Sequence, residues 1–135
     1  MSDDPKLILL VDDNSVNLTA IKSALVGLYK VTAVNAGATA LKFLEKQRPD
    51  LILLDVEMPG MSGPELLAIL KADSRFSDIP VIFLTANVDE KNEEEAFLLG
   101  AVDFIRKPMN KVIGLARVKT HLELAELRMA VKKPE

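Results

Sequence analysis

The chain has no cysteine and a single histidine, His121. The missing cysteines exclude disulfides, thiolate catalysis and Cys-based metal sites. One histidine is too few for a multi-His metal centre, and a Ser-His-Asp triad would have to be assembled around it alone. His121 itself reads as a surface helix residue. Long apolar runs are also missing. The first, Leu7-Ile8-Leu9-Leu10-Val11, is far shorter than a signal-peptide core or a membrane span. No repeat, low-complexity tract or Ser/Gly-rich linker interrupts the chain. Positive charge is in slight deficit: 17 Lys and Arg against 20 Asp and Glu leave a net charge of −3. That argues against the basic stripe of a nucleic-acid-binding surface.

What remains is 135 residues, the size of one domain, 49% of them hydrophobic, which is enough to build a core without staples. A soluble, cytoplasmic domain is the starting expectation. Three strong apolar runs, Leu7 to Val11, Leu51 to Leu54 and Val81 to Leu84, are continuous rather than alternating. This is the pattern of strands covered on both faces, as in a parallel sheet. A fourth, shorter run, Val102-Asp103-Phe104-Ile105, stands out beside them, and a weaker one occupies Val31 to Val34.

Helical spacing fills the gaps. Leu18, Ile21, Leu25 and Leu28 form one stripe, with Asn14 as N-cap and Gly27 near the end. Ala40, Leu41 and Leu44 form a second. Pro64 suits the first turn of a third helix, with Leu66, Leu67 and Leu70 inward. Asp89 to Leu99 reads as a fourth helix, with Ala96 and Leu99 inward and Gly100 as its stop. Asn110 caps a fifth that runs to about Val131. Five β-α repeats predict an α/β fold, an open parallel sheet with helices on both faces and its chemistry at the carboxyl ends of the strands.

Those ends carry Asp12-Asp13, Asp55, Thr85 and Arg106-Lys107-Pro108. Any one of them alone could be an ordinary cap or a solvated charge. Together, on one sheet edge, they suggest a site. Three carboxylates would repel unless a cation shared them, and hard oxygen ligands suit Mg²⁺, with Mn²⁺ as a substitute. The shortage of His and Cys argues against zinc or copper. An aspartate can attack phosphorus to form an aspartyl phosphate. A lysine ammonium is a point-charge partner for phosphate, and a threonine hydroxyl can donate to a phosphoryl oxygen.

The motifs Leu-Val-Asp-Asp-Asn (10–14), Leu-Asp-Val-Glu-Met-Pro-Gly-Met-Ser-Gly (54–63), Phe-Leu-Thr-Ala-Asn (83–87) and Phe-Ile-Arg-Lys-Pro (104–108) resemble, in this order and spacing, the receiver domain of two-component response regulators. The resemblance covers about residues 6 to 120. It implies a flavodoxin-like (βα)5 three-layer sandwich with strand order 2-1-3-4-5. It implies that Asp55 accepts a phosphoryl group from a sensor histidine kinase or phosphotransfer protein. Asp13, Asp55 and the backbone carbonyl of Glu57 would ligate Mg²⁺, with Asp12 acting mainly through water. Lys107 would contact the phosphoryl group, Thr85 would move toward it, and Phe104 would take the aromatic switch position. Glu57 and Asn87 would modulate hydrolysis, and the bond before Pro108 would be cis. Such a domain catalyses only its own phosphotransfer and dephosphorylation. Its output would be a changed surface on the fourth helix, fifth strand and fifth helix.

Leu115, Val118, Leu122, Ala125 and Met129 repeat as a heptad seam. The first two turns should pack on the domain itself. Beyond them, residues 121–135 read as an extension of the last helix, leading to an output domain or a coiled coil, so a homodimer is expected. The stretch Ala116 to Leu124 resembles receivers joined to cyclic-dinucleotide enzymes or histidine kinases. Residues 1–5 and 132–135 should fray. No nucleic-acid or membrane contact is expected. A haloacid-dehalogenase-like phosphatase with Asp55 as nucleophile is the alternative. It fits less well, because Asp55-Val56-Glu57 lacks that class's second aspartate, the paired aspartates Asp12-Asp13 precede the nucleophile instead of following it, and no cap insertion encloses a substrate. A flavin or nucleotide module is a third reading, but the turn after the first strand has no glycine and adds negative charge.

Overall fold

The computed structural model describes residues 5–86 and 90–132. Five strands and five helices alternate: β1 (Leu7–Val11), α1 (Ser15–Leu25), β2 (Lys30–Val34), α2 (Gly37–Leu44), β3 (Leu51–Asp55), α3 (Gly63–Ala72), β4 (Val81–Thr85), α4 (Glu90–Leu99), β5 (Asp103–Arg106) and α5 (Lys111–Lys132). The strands form one parallel sheet in the order β2-β1-β3-β4-β5. It is the flavodoxin-like arrangement.

The continuous apolar runs follow from this order. β1 and β3 lie inside the sheet and are buried at every residue. Alternate side chains feed two cores. Leu9, Val11, Ile52, Leu54, Val81 and Phe83 meet α2 and α3 on one face. Ile8, Leu10, Leu51, Leu53, Ile82 and Leu84 meet α1 and α5 on the other. Each such side chain contributes roughly 1.5–3 kcal/mol on burial. The edge strands β2 and β5 are only partly covered, which is why their runs are weaker.

The helix starts are locally encoded. The Asn14 side chain accepts from the amides of Val16 and Asn17 at 2.9 and 3.0 Å. Asn110 accepts from the amide of Ile113 at 3.0 Å. Ser62 and Glu65 form a reciprocal capping box at the start of α3, beside Pro64. Gly100 closes α4 at φ +107°, a conformation open to glycine.

Three expectations need correction. Leu28 lies beyond the C-cap of α1, Val26, and is 60% exposed rather than inward. Leu99, the last residue of α4, is 41% exposed, so the inward side of that helix reduces to half-buried Ala96. His121 is not a surface residue: its side chain is 12% exposed, and Nε2 lies 3.0 Å from Asp103 Oδ2. Asp89, Asn87 and the expected frayed residues 1–4 and 133–135 lie outside the described residues. The inner stripe of α5 is engaged within the domain further than two turns, since Val118 and Leu122 are both buried.

Candidate phosphoacceptor site

Each strand end delivers one part of the site. β1 stops at Val11 and releases Asp12 and Asp13. The amide of Asp12 still reaches the carbonyl of Val34 at 3.2 Å, which holds Asp12 at the sheet edge. Asp12 Oδ1 then accepts from the amide of Asn14 at 2.9 Å, so the same turn that caps α1 fixes this carboxylate. Asp55 ends β3 and is 2% exposed, while Asp12 is fully buried and Asp13 is exposed. The Asp55 carboxylate accepts from the amide of Glu57 at 3.3 Å.

The strand-five end completes the arrangement. The amide of Lys107 donates to the carbonyl of Thr85 at 2.8 Å, tying the loops after β4 and β5 together. The Lys107–Pro108 peptide bond is cis. Lys107 Nζ lies 2.8 Å from Asp55 Oδ1 and 3.6 Å from Asp12 Oδ2.

The charges do not balance. Carboxylate oxygens of Asp12, Asp13 and Asp55 all lie within 4.8 Å of one another. Three carboxylates and one ammonium leave two negative charges. Asp12 Oδ2 is buried and has no hydrogen-bond partner. A buried, unsatisfied carboxylate oxygen is costly unless something shares it. Burial pushes the Asp55 carboxyl up to about 6; the Lys107 hydrogen bond pulls it down, but the charge of Asp12 adds to the rise. Burial also acts against the Lys107 ammonium, yet its hydrogen bond to Asp55 and the two nearby carboxylates win, and its pKa lies above the ordinary lysine value. An all-oxygen donor set with an excess of two negative charges fits a hard divalent cation.

Two further residues stand beside this cluster. Thr85 is half-buried at the end of β4, and Phe104 is half-buried on β5, where Phe83 is its register partner. Both line a cavity of about 170 Å³ under α4, together with Val56, Pro64 and Ala96. The Phe104 ring meets Phe97 edge-on at 6.1 Å. The Arg117 guanidinium lies over the Phe104 ring at 5.6 Å and donates to the Phe104 carbonyl at 2.7 Å. Glu57 is exposed at the rim.

The sequence reading overlooked two groups. Gly63 starts α3 so close to β3 that a Cβ there would fall 2.3 Å from the Asp55 carbonyl oxygen. Only its place at the end of the 54–63 motif hinted at this. Asp103 accepts from Arg117 at 3.1 Å as well as pairing with His121. No local pattern marks that trio.

Comparison with known proteins agrees with this geometry. The family described as the response regulator receiver domain matches residues 8–119. A Vibrio cholerae protein named "Probable cyclic di-GMP phosphodiesterase" is 40% identical over 116 residues, covering 86% of this chain and 26% of that protein. Response regulator PleD of Caulobacter vibrioides is 38% identical over 114 residues, covering 84% of this chain and 25% of PleD. The chain thus spans about a quarter of the length of these two relatives. Among solved structures, the receiver domain of the sensor histidine kinase PA1611 from Pseudomonas aeruginosa, with magnesium coordinated in its active-site cleft, superposes with a TM-score of 0.81. It shows 32% identity and covers 88% of this chain and 98% of its own. The receiver domain of a signal transduction histidine kinase from Syntrophus aciditrophicus gives a TM-score of 0.80 at 36% identity, covering 96% and 95%. Among the described residues no helix is long and apolar enough to cross a membrane. With motifs, topology and relatives in agreement, the chain belongs to the response regulator receiver family, the phosphorylation-dependent signalling domain of two-component systems.

Proposed function

We propose that Asp55 is the phosphoacceptor. The observation that carries this is the short contact between Asp55 and Lys107 beside two further carboxylates, with Asp55 nearly buried. In the reaction, an Asp55 oxygen forms a bond to phosphorus as the bond to a donor histidine nitrogen breaks; that nitrogen keeps the bonding pair, and the imidazole, already protonated on its other ring nitrogen, leaves neutral. Lys107, freed from part of its carboxylate contact, is placed to pair with the new phosphoryl oxygens. Thr85 supplies a hydroxyl at the end of the adjacent strand. The chain is not otherwise an enzyme in this reading.

Asp13, Asp55 and the carbonyl of Glu57 would hold Mg²⁺, with Asp12 acting mainly through water and Mn²⁺ able to substitute. The cation would supply charge neutralisation for the transferring group. Asp12 Oδ2, buried without a hydrogen-bond partner, supports a cation here. Glu57 and Asn87 modulate hydrolysis of the product.

A switch follows only if phosphorylation favours one conformation of the β4 and β5 loops over another. The cavity beside Thr85 and Phe104 gives the ring room to move inward, and the Thr85–Lys107 backbone bond links the two loops. The partners are then a sensor histidine kinase or phosphotransfer protein upstream, and an output read from α4, β5 and α5. The phosphodiesterase relative favours a cyclic-dinucleotide enzyme as that output, reached through residues 121–135. No order of residues matching the phosphatase alternative emerges, and no relative named here favours it.

The test is phosphorylation by a kinase or a small phosphodonor, read by intact mass. Wild type should gain one phosphoryl group and Asp55→Asn none, with the fold intact by circular dichroism. Label retained on Asp55→Asn would remove Asp55 from the role. Asp13→Ala should sharply weaken Mg²⁺ binding in a calorimetric titration.

A further inference from the structure

β5 is an edge strand, so the backbone groups on its free side have no neighbouring strand to meet them. At Phe104 side chains meet them instead. The Phe104 amide donates to Asp103 Oδ1 at 2.8 Å, and the Phe104 carbonyl accepts from Arg117 Nη1 at 2.7 Å. Arg117 Nη1 also donates to Asp103 Oδ1 at 3.1 Å, which closes a ring of contacts around this residue. The other oxygen of Asp103 lies 3.0 Å from His121 Nε2. Arg117 and His121 are four positions apart, so two successive turns of α5 grip one carboxylate.

The Phe104 backbone is therefore pinned, and only its side chain keeps freedom. The half-buried ring has the Arg117 guanidinium 5.6 Å from its centroid and Phe97 edge-on at 6.1 Å. Beside it lies the cavity it shares with Val56, Thr85 and Ala96. The ring has two places to be. Against Arg117 and Phe97 it gains a cation–π and an aromatic contact. In the cavity it gains apolar burial and loses the guanidinium. Arg117 thus weighs on one side of the balance alone. A partly exposed cation–π contact changes such a balance about two- to fivefold.

We propose that Arg117 is a positioning residue for the switch: it holds the Phe104 ring out of the cavity, and His121 holds Arg117 in place through their shared Asp103. This rests on the reading of Thr85 and Phe104 as the switch pair. The phosphoryl group draws the ring inward against this restraint. The resting population of the inward ring, and with it the apparent affinity for a phosphoryl group, is then set from α5.

The test uses the full chain and reads two quantities. The first needs no phosphoryl chemistry. Nuclear Overhauser contacts between the Phe104 ring protons and the Val56 methyls should strengthen in Arg117→Gln. The second is the affinity for beryllofluoride, a phosphoryl mimic, in excess Mg²⁺. It should rise about two- to fivefold in the same variant. The Arg117 side chain is 38% exposed, so its replacement should keep the fold. A residue that only supported the fold would lower that affinity or leave it level. His121→Phe removes the donor to Asp103 and should move both readings in the same direction. His121→Gln places an amide donor where Nε2 stood and should return them toward wild type. On a Phe104→Leu background, Arg117→Gln should leave the affinity unchanged, because no ring is there to hold. Four results would each overturn the proposal: Overhauser contacts unaltered in Arg117→Gln, an affinity that falls or stays level, a gain that persists without the Phe104 ring, or a His121→Gln no closer to wild type than His121→Phe. A wild type that takes up no beryllofluoride would sink the phosphoacceptor reading instead, and the Overhauser contacts would still decide the role of Arg117.

Discussion

Gly63 stands so close to Asp55 that a β-carbon at position 63 would lie 2.3 Å from the Asp55 carbonyl oxygen and 2.9 Å from the Cα of Val56. Both obstacles are backbone, so neither can swing away. Glycine to alanine in a helix ordinarily stabilises by up to about 1 kcal/mol. Here the sign reverses. Gly63→Ala should destabilise by roughly 1–3 kcal/mol, as overpacked substitutions do. It should also weaken divalent-cation binding, because α3 can give way only by shifting Asp55. Thermal unfolding and a Mg²⁺ titration on the same variant check both effects.

Asp55 is the group whose ionisation works against the fold. Its carboxyl is raised from 3.8 to about 6 by burial first, with Asp12 adding and Lys107 opposing. The native state therefore binds this proton more tightly than the unfolded chain does. The contribution is lost as pH climbs from about 4 to about 6 and stays lost above that. Without divalent cations, Asp55→Asn should be more stable than wild type at pH 7.5 by about 1–3 kcal/mol. The difference should shrink toward pH 4. Denaturant unfolding in chelator at several pH values measures it, and saturating Mg²⁺ should reduce the gap by stabilising wild type alone.

Lys107 sits between the two buried carboxylates, and its removal should act in opposite directions on two observables. Lys107→Met deepens the excess negative charge from two to three, so Mg²⁺ affinity should rise. The same change takes away the cation placed to receive the phosphoryl oxygens, so the extent of phosphorylation should fall. Calorimetry and intact mass read the two separately. A parallel loss of both would mean that the variant has disturbed the cluster rather than its charge.

Asp103 holds both Arg117 and His121, at 3.1 and 3.0 Å, and Arg117 in turn touches the Phe104 ring and carbonyl. Asp103→Ala leaves two partly buried donors without their acceptor and should cost about 1–2 kcal/mol. Arg117→Gln should broaden or shift the Phe104 ring resonances in NMR, while Arg75→Gln, whose partners are Glu45 and Asp73, should not.

Much of this could be read from the chain because the informative signals are local. Continuous runs such as Leu51 to Leu54 mark central strands, and Asn14 and Asn110 mark helix starts. The capping box of Ser62 and Glu65 is equally local, a Ser-x-x-Glu spacing that stands in the sequence. The failures share one cause. Leu28 and Leu99 keep the helical rhythm past the point where a helix has anything to pack against. Periodicity measures repetition, not cover. In α5 two stripes repeat alike, and only the third dimension decides that Leu122 goes in while Leu127 stays out. Asp103 and His121 are 18 positions apart, and the Gly63–Asp55 approach joins a strand end to a helix start. Neither leaves a trace in spacing.

The depth of Asp55 has one more consequence. At 2% exposure, its oxygens cannot reach out to a donor; the donor has to come in. Asp13 and Glu57, its neighbours in the cluster, both face solvent. A carrier that presents phosphorus at its tip, the edge of an imidazole or a compact acyl phosphate, suits an acceptor at that depth, so reach selects reagents before any chemistry begins.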